Sequence, residues 1–122
     1  NDEVARDELR KSALRLAKPE NAKLVMKSVQ DAIESINSGI TDKYKMLVVV
    51  ESVTDAKNLI DGTRYKILSL NLGGTKKREG THNYSAAINL TDSEVEQLHE
   101  LSTKGVEVFI QQVPSEKKQN FN

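Results

Sequence analysis

Cysteine is absent from this chain, which excludes a disulfide framework, a thiolate zinc site and a cysteine nucleophile. Aromatic residues are scarce, at 4% of 122 positions, too few for a stacking surface that binds single-stranded nucleic acid. Excess charge is missing as well. Lys plus Arg equal Asp plus Glu at 18 each, so broad attraction to nucleic acid or to an anionic membrane is not expected. No apolar run approaches the ~20 residues that span a bilayer, and no signal peptide opens the sequence. Together with the lack of cysteine, this makes the cytoplasm the expected location. An initiator Met is also lacking: Asn1-Asp2-Glu3 leads straight into a helical pattern. An α/β domain more often opens with a strand, so the expectation is a chain without its N-terminal stretch.

What is present is a recurring unit of short apolar strand, Ser or Thr cap, amphipathic helix and glycine. A helix is expected from about Val4 to Lys18, ended by Pro19. Ala22 to Lys27 reads as a strand. Ser28, with Asp31 three residues on, caps a helix whose apolar face is Val29, Ala32, Ile33 and Ile36, and Gly39 stops it. The continuous apolar run Met46-Leu47-Val48-Val49-Val50 reads as the strongest strand, buried on both faces. Ser52 and Asp55 repeat the cap, with Ala56, Leu59 and Ile60 inward and Gly62 at the end. A strand through Ile67-Leu68-Ser69-Leu70 follows, and later another at Ala86 to Leu90. Thr91 and Glu94 form a capping box for a helix carrying Val95, Leu98 and Leu101 up to Gly105. Val106 to Val113 alternates, with Val106, Val108, Ile110 and Gln112 on one face. From Ser115 the chain is polar and is expected to fray. This pattern implies one α/β domain over residues 1–122, a three-layer α/β/α fold with a mainly parallel sheet.

Chemistry concentrates between Asn71 and Gly80. Gly73 and Gly74 let backbone N–H groups approach a ligand, and Lys76, Lys77 and Arg78 follow within the same loop. The loop leaves the C-terminal end of a strand, where parallel α/β sheets bind ligands. An anion such as phosphate fits there, although a solvated turn has the same composition. His82 lies beside this loop among Thr81, Asn83 and Tyr84, which read as an ordinary exposed turn rather than a phosphoryl acceptor. His99 sits on the flank of an amphipathic helix. The two histidines lack metal-ligand spacing, so no metal or other cofactor is called for.

The ordered set Asn1-Asp2-Glu3-Val4-Ala5, Ser52-x-x-Asp55-Ala56, Asn71-Leu72-Gly73-Gly74, Arg78-Glu79-Gly80, Leu90-Thr91-x-x-Glu94, Lys104-Gly105-Val106-Glu107 and Gln112-Val113-Pro114 resembles one family. It is the IIB component of the mannose/fructose/sorbose class of the phosphoenolpyruvate-dependent sugar phosphotransferase system, and the likeness covers essentially the whole chain. The resemblance implies a phosphocarrier that takes a phosphoryl group from a IIA partner onto a histidine. It then passes that group to a sugar entering through the membrane IIC and IID components. The family's acceptor histidine belongs to a segment that would stand just upstream of Asn1, so no catalytic residue is named here and the chain alone is expected to be inactive.

What carries over is a pocket wall. Asn1 and Asp2 match residues ending the family's second strand, and Asp2 is placed to orient an imidazole or a neighbouring arginine. Ser52 matches a strand-end position where a hydroxyl and a helix N-terminus favour an anion. Gly73 and Gly74 end another strand on that edge. Lys76, Lys77 and Arg78 are assigned to phosphate or to an acidic partner surface. Plainer readings stay open beside these: Asn1 and Asp2 as caps of the first helix, and Ser52 as a simple N-cap. A different class also stays open, a non-catalytic module binding an anionic ligand or partner through the Gly73 to Gly80 loop. Without the family's central strand, exposed hydrogen-bonding edges would invite dimerisation or swapping.

Overall fold

A computed structural model describes residues 25–85 and 87–121. The expected helix from Val4 to Lys18, and Asn1 and Asp2, lie outside the described residues. The chain divides into two compact units, Asn1–Glu51 and Ser52–Asn122.

In the first unit, helix α1 (Val29–Asn37) starts where the Ser28 hydroxyl accepts the Asp31 N–H at 3.1 Å. Its apolar face buries Ile36, and Gly39 follows at φ +85°, a conformation that suits glycine. Two expectations fail here. Residues 25–27 are not in a strand, and neither is Met46–Val50. Leu47 is 89% exposed and Val49 76%. An apolar run becomes a buried strand only when another strand satisfies its peptide groups and a layer covers its faces. Among the described residues no strand pairs with it.

The second unit runs α2 (Val53–Gly62), β1 (Ser69–Asn71), β2 (His82–Ser85), β3 (Ile88–Leu90), α3 (Asp92–Thr103), β4 (Glu107–Ile110) and β5 (Gln119–Asn120). Both helices start at the expected caps. The Ser52 hydroxyl accepts the Asp55 N–H at 3.0 Å, and Thr91 and Glu94 close the capping box. Gly62 is the last residue of α2 rather than its stop. The buried Thr63 hydroxyl donates to the Leu59 carbonyl at 2.8 Å, and Arg64 and Tyr65 then turn through positive φ.

β1 and β4 pair in parallel, Asn71 opposite Phe109, and β5 adds antiparallel to β4. The fold is therefore α/β, and its described three-stranded sheet is mixed. Alternation on β4 turns Val108 and Ile110 into a core with Ile60, Ile88, Leu90, Leu98 and Leu101. Two further expectations are corrected. Residues 82–85 form a hairpin strand against β3, not a loose turn. The C-terminal segment does not fray: Phe121 packs against the core and meets Tyr84 edge-on at 5.7 Å. One apolar ring anchors an otherwise polar tail.

Candidate functional site

Because β1 and β4 are parallel, their C-terminal ends open on one edge, and the loops after Asn71 and Ile110 leave it side by side. The Asn71 side chain joins them. Its Oδ1 accepts the Gln111 N–H at 3.0 Å and its Nδ2 donates to the Gln111 carbonyl at 2.9 Å. Gln111 Nε2 donates to the Glu116 carbonyl at 2.7 Å, and Gln112 N–H to the Glu116 carboxylate at 3.1 Å, which folds the second loop into a closed turn.

The first loop is pinned at two points. The Thr75 hydroxyl donates to the Asn89 carbonyl at 2.6 Å and accepts the Asn89 N–H at 2.7 Å, while Thr75 N–H donates to the Ala87 carbonyl. Farther on, Thr81 closes a turn on Arg78, with Gly80 at φ +82°. Gly73 and Gly74 lie before the first pin, exposed and without positive φ. A Cβ added to either would meet nothing within 4 Å. Neither crowding nor backbone strain demands glycine there. What its absence of a side chain provides is uncovered main chain.

The cations divide. Lys76 and Lys77 are exposed, and among the described residues neither is ion-paired. Arg78 instead donates to Glu94 at 2.8 Å, bracing the α3 capping box from outside. Arg78 is thus tied to a carboxylate sixteen positions away, whereas among the described residues the two lysines are not. Burial alone would raise the Glu94 pKa, but the Thr91 N–H and the Arg78 guanidinium together hold it below the ordinary value. A carboxyl depressed in this way stabilises the fold fully above its unfolded pKa and loses that contribution as pH falls through the folded value. The melting temperature of the wild-type chain should thus drop below about pH 5. Glu94→Gln should start lower at neutral pH and fall less steeply, the remaining slope including Asp61, which Lys57 and Tyr65 likewise depress. Parallel melting curves for the two proteins would contradict the role given to Glu94.

Ser52 keeps its hydroxyl on the Asp55 amide, so the structure shows a cap and adds nothing more. His82 sits on β2, largely exposed, with Nε2 3.4 Å from Asp92. His99 lies on the outer side of α3, in a groove of about 610 Å³ with Val95, Glu96 and Phe121. Ser52, Gly73, Gly74, Lys76, Lys77 and Arg78 do not line that groove. Among the described residues no cluster of His, Cys, Asp and Glu is placed to hold a metal, and no helix is long and apolar enough to cross a membrane.

An α/β unit whose parallel strands end in an uncovered glycine pair followed by unpaired lysines has the makings of an anion-handling domain. The chain belongs to the sorbose-subfamily IIB components of the phosphotransferase system, whose family model matches residues 1–122. It is similar to the fructose-specific EIIB component of Bacillus subtilis, 25% identical over 99% of this chain and 74% of that one. The mannose-specific EIIAB component of Escherichia coli is 26% identical over 97% of this chain, which spans only 36% of that longer protein. Among solved structures, the IIBSor domain of the sorbose permease of Klebsiella pneumoniae superposes with a TM-score of 0.89 at 25% identity, covering 98% of this chain and 73% of that one.

Proposed function

We propose that this chain is a phosphocarrier that accepts a phosphoryl group on a histidine from a IIA partner and passes it to a sugar during coupled transport. The observation that carries the reading is the extent of the family match, which runs over residues 1–122 rather than over one motif. In the first step a P–N bond on the donor breaks as one forms on the acceptor imidazole. In the second, that bond breaks as a P–O bond forms to the sugar, and the proton lost by the sugar hydroxyl is balanced by the one the departing imidazole nitrogen takes up. Transfers of this kind draw on alignment and charge stabilisation, and neither a nucleotide nor a metal enters the scheme.

The finer assignments follow from the resemblance. The acceptor histidine stands upstream of Asn1, so the 122-residue chain by itself does not carry the group. Ser52, Gly73 and Gly74 contribute to the pocket wall, and the resemblance gives Asp2 the task of orienting the imidazole or an arginine. Lys76 and Lys77 meet the phosphoryl group or the acidic face of the IIA partner, while Arg78 supports them from the α3 cap. The whole of residues 1–122 acts as one domain at the cytoplasmic face of the IIC and IID components, which choose the sugar. Open strand edges leave room for self-association. The test is chemical: an acid-labile phosphoryl label must pass from phosphorylated IIA to the full-length protein that contains this sequence.

A further inference from the structure

The β1–β4 ladder stops one step before the register requires. With Asn71 opposite Phe109, Leu72 N–H still donates to the Phe109 carbonyl at 2.8 Å. In a continuing parallel ladder the next two bonds would run from Gln111 N–H to the Leu72 carbonyl and from Gly74 N–H to the Gln111 carbonyl. Neither forms. The Asn71 side chain takes both polar groups of Gln111 instead, at 3.0 and 2.9 Å. An amide side chain has one acceptor and one donor arranged like a peptide, so it satisfies the neighbouring strand while displacing the main chain that would otherwise do so.

We infer that Asn71 is a positioning residue: by capping the Gln111 peptide groups it ends the ladder early and keeps the Gly74 N–H out of the sheet, free to bind a phosphoryl oxygen. The surroundings agree. Gly73 and Gly74 are exposed, and a Cβ on either would meet nothing within 4 Å. Their exposed N–H groups have no partner among the described residues, and the unpaired Lys76 and Lys77 follow at once. Thr75 then fastens the loop to β3, so the freed amides are held rather than loose. Fixed donors aimed at developing negative charge lower a transfer barrier more than donors that must first reorganise.

This inference rests on the phosphocarrier reading for its substrate, but its test separates the two. In the full-length protein, Asn71→Ala should let the ladder extend. Transfer from phosphorylated IIA should fall about tenfold in kcat with KM changed less than about twofold. Tyr65→Phe, which removes a bond to Asp61 elsewhere in the unit, serves as a control for general destabilisation and should keep the wild-type kcat. Independently of transfer, inorganic phosphate should shift the Gly73 and Gly74 amide resonances of the wild type but not of Asn71→Ala. Hydrogen exchange at Gly74 should be slower in the variant. Unchanged kcat in Asn71→Ala, or the same phosphate shifts in both proteins, would overturn the inference. So would the absence of shifts in the wild type. A wild type that responds to phosphate yet takes nothing from IIA would instead overturn the carrier reading and leave the role of Asn71 standing.

Discussion

Leu98→Ala should lower the unfolding free energy by about 3 kcal/mol, while Leu47→Ala should change it by less than about 0.5 kcal/mol. Both truncations delete the same atoms from residues that look equally apolar in the sequence. Leu98 is 1% exposed within the cluster built from Ile60, Ile88, Leu90, Leu101 and Val108, so its removal loses both transfer energy and packing. Leu47 is 89% exposed and has little to lose. For a domain whose whole stability is on the order of 5–15 kcal/mol, the difference is large. Urea unfolding of the two variants measures it directly. Comparable losses would mean that the Met46–Val50 run is packed after all, as its composition first implied.

The second large effect concerns the lysines. Lys76→Ala combined with Lys77→Ala should reduce kcat/KM for phosphoryl transfer about tenfold, with the deficit shrinking as salt is raised and with the melting temperature unmoved. Arg78→Ala should behave in the opposite way. It removes the outer support of Glu94 and should lower thermal stability, with the smaller effect on transfer. Two exposed and unpaired cations can leave the surface without disturbing the fold, whereas the third holds a helix cap. Transfer kinetics that respond to Arg78 more than to the lysine pair would reverse this division.

The helix starts were legible because their signals are local. Ser28, Ser52 and Thr91 each bond an amide three residues ahead, a distance over which sequence order and spatial order coincide. β4 was legible in part. Val106, Val108 and Ile110 turn inward as the alternation states, but the strand ends at Ile110, Gln112 is exposed, and Phe109 on the opposite face is buried as well. The Met46–Val50 run was not, because strand formation depends on a neighbour that the run itself does not specify. β2 escaped notice because His82-Asn83-Tyr84-Ser85 has no apolar alternation; its pairing with β3 carries the irregular register between Asn83 and Ser85. The same limit governs the site. A Gly-Gly-Thr-Lys-Lys-Arg run announces an anion-friendly loop, but the diversion of Arg78 to Glu94 and the bonding of Asn71 to Gln111 bridge 16 and 40 positions. The sequence gives Asn71 no legible role, because an asparagine at a strand end is as easily a turn former as a substitute for the peptide backbone.

The most direct test of the phosphocarrier assignment is transfer of labelled phosphate from phosphorylated IIA to two polypeptides, the 122-residue chain and the full-length protein that contains it. The account predicts an acid-labile label on the full-length protein and none on the shorter chain. Label on the shorter chain would place the acceptor within residues 1–122, with His82 the first residue to replace. No label on either, with both folded and the donor active toward another IIB component, would contradict the assignment.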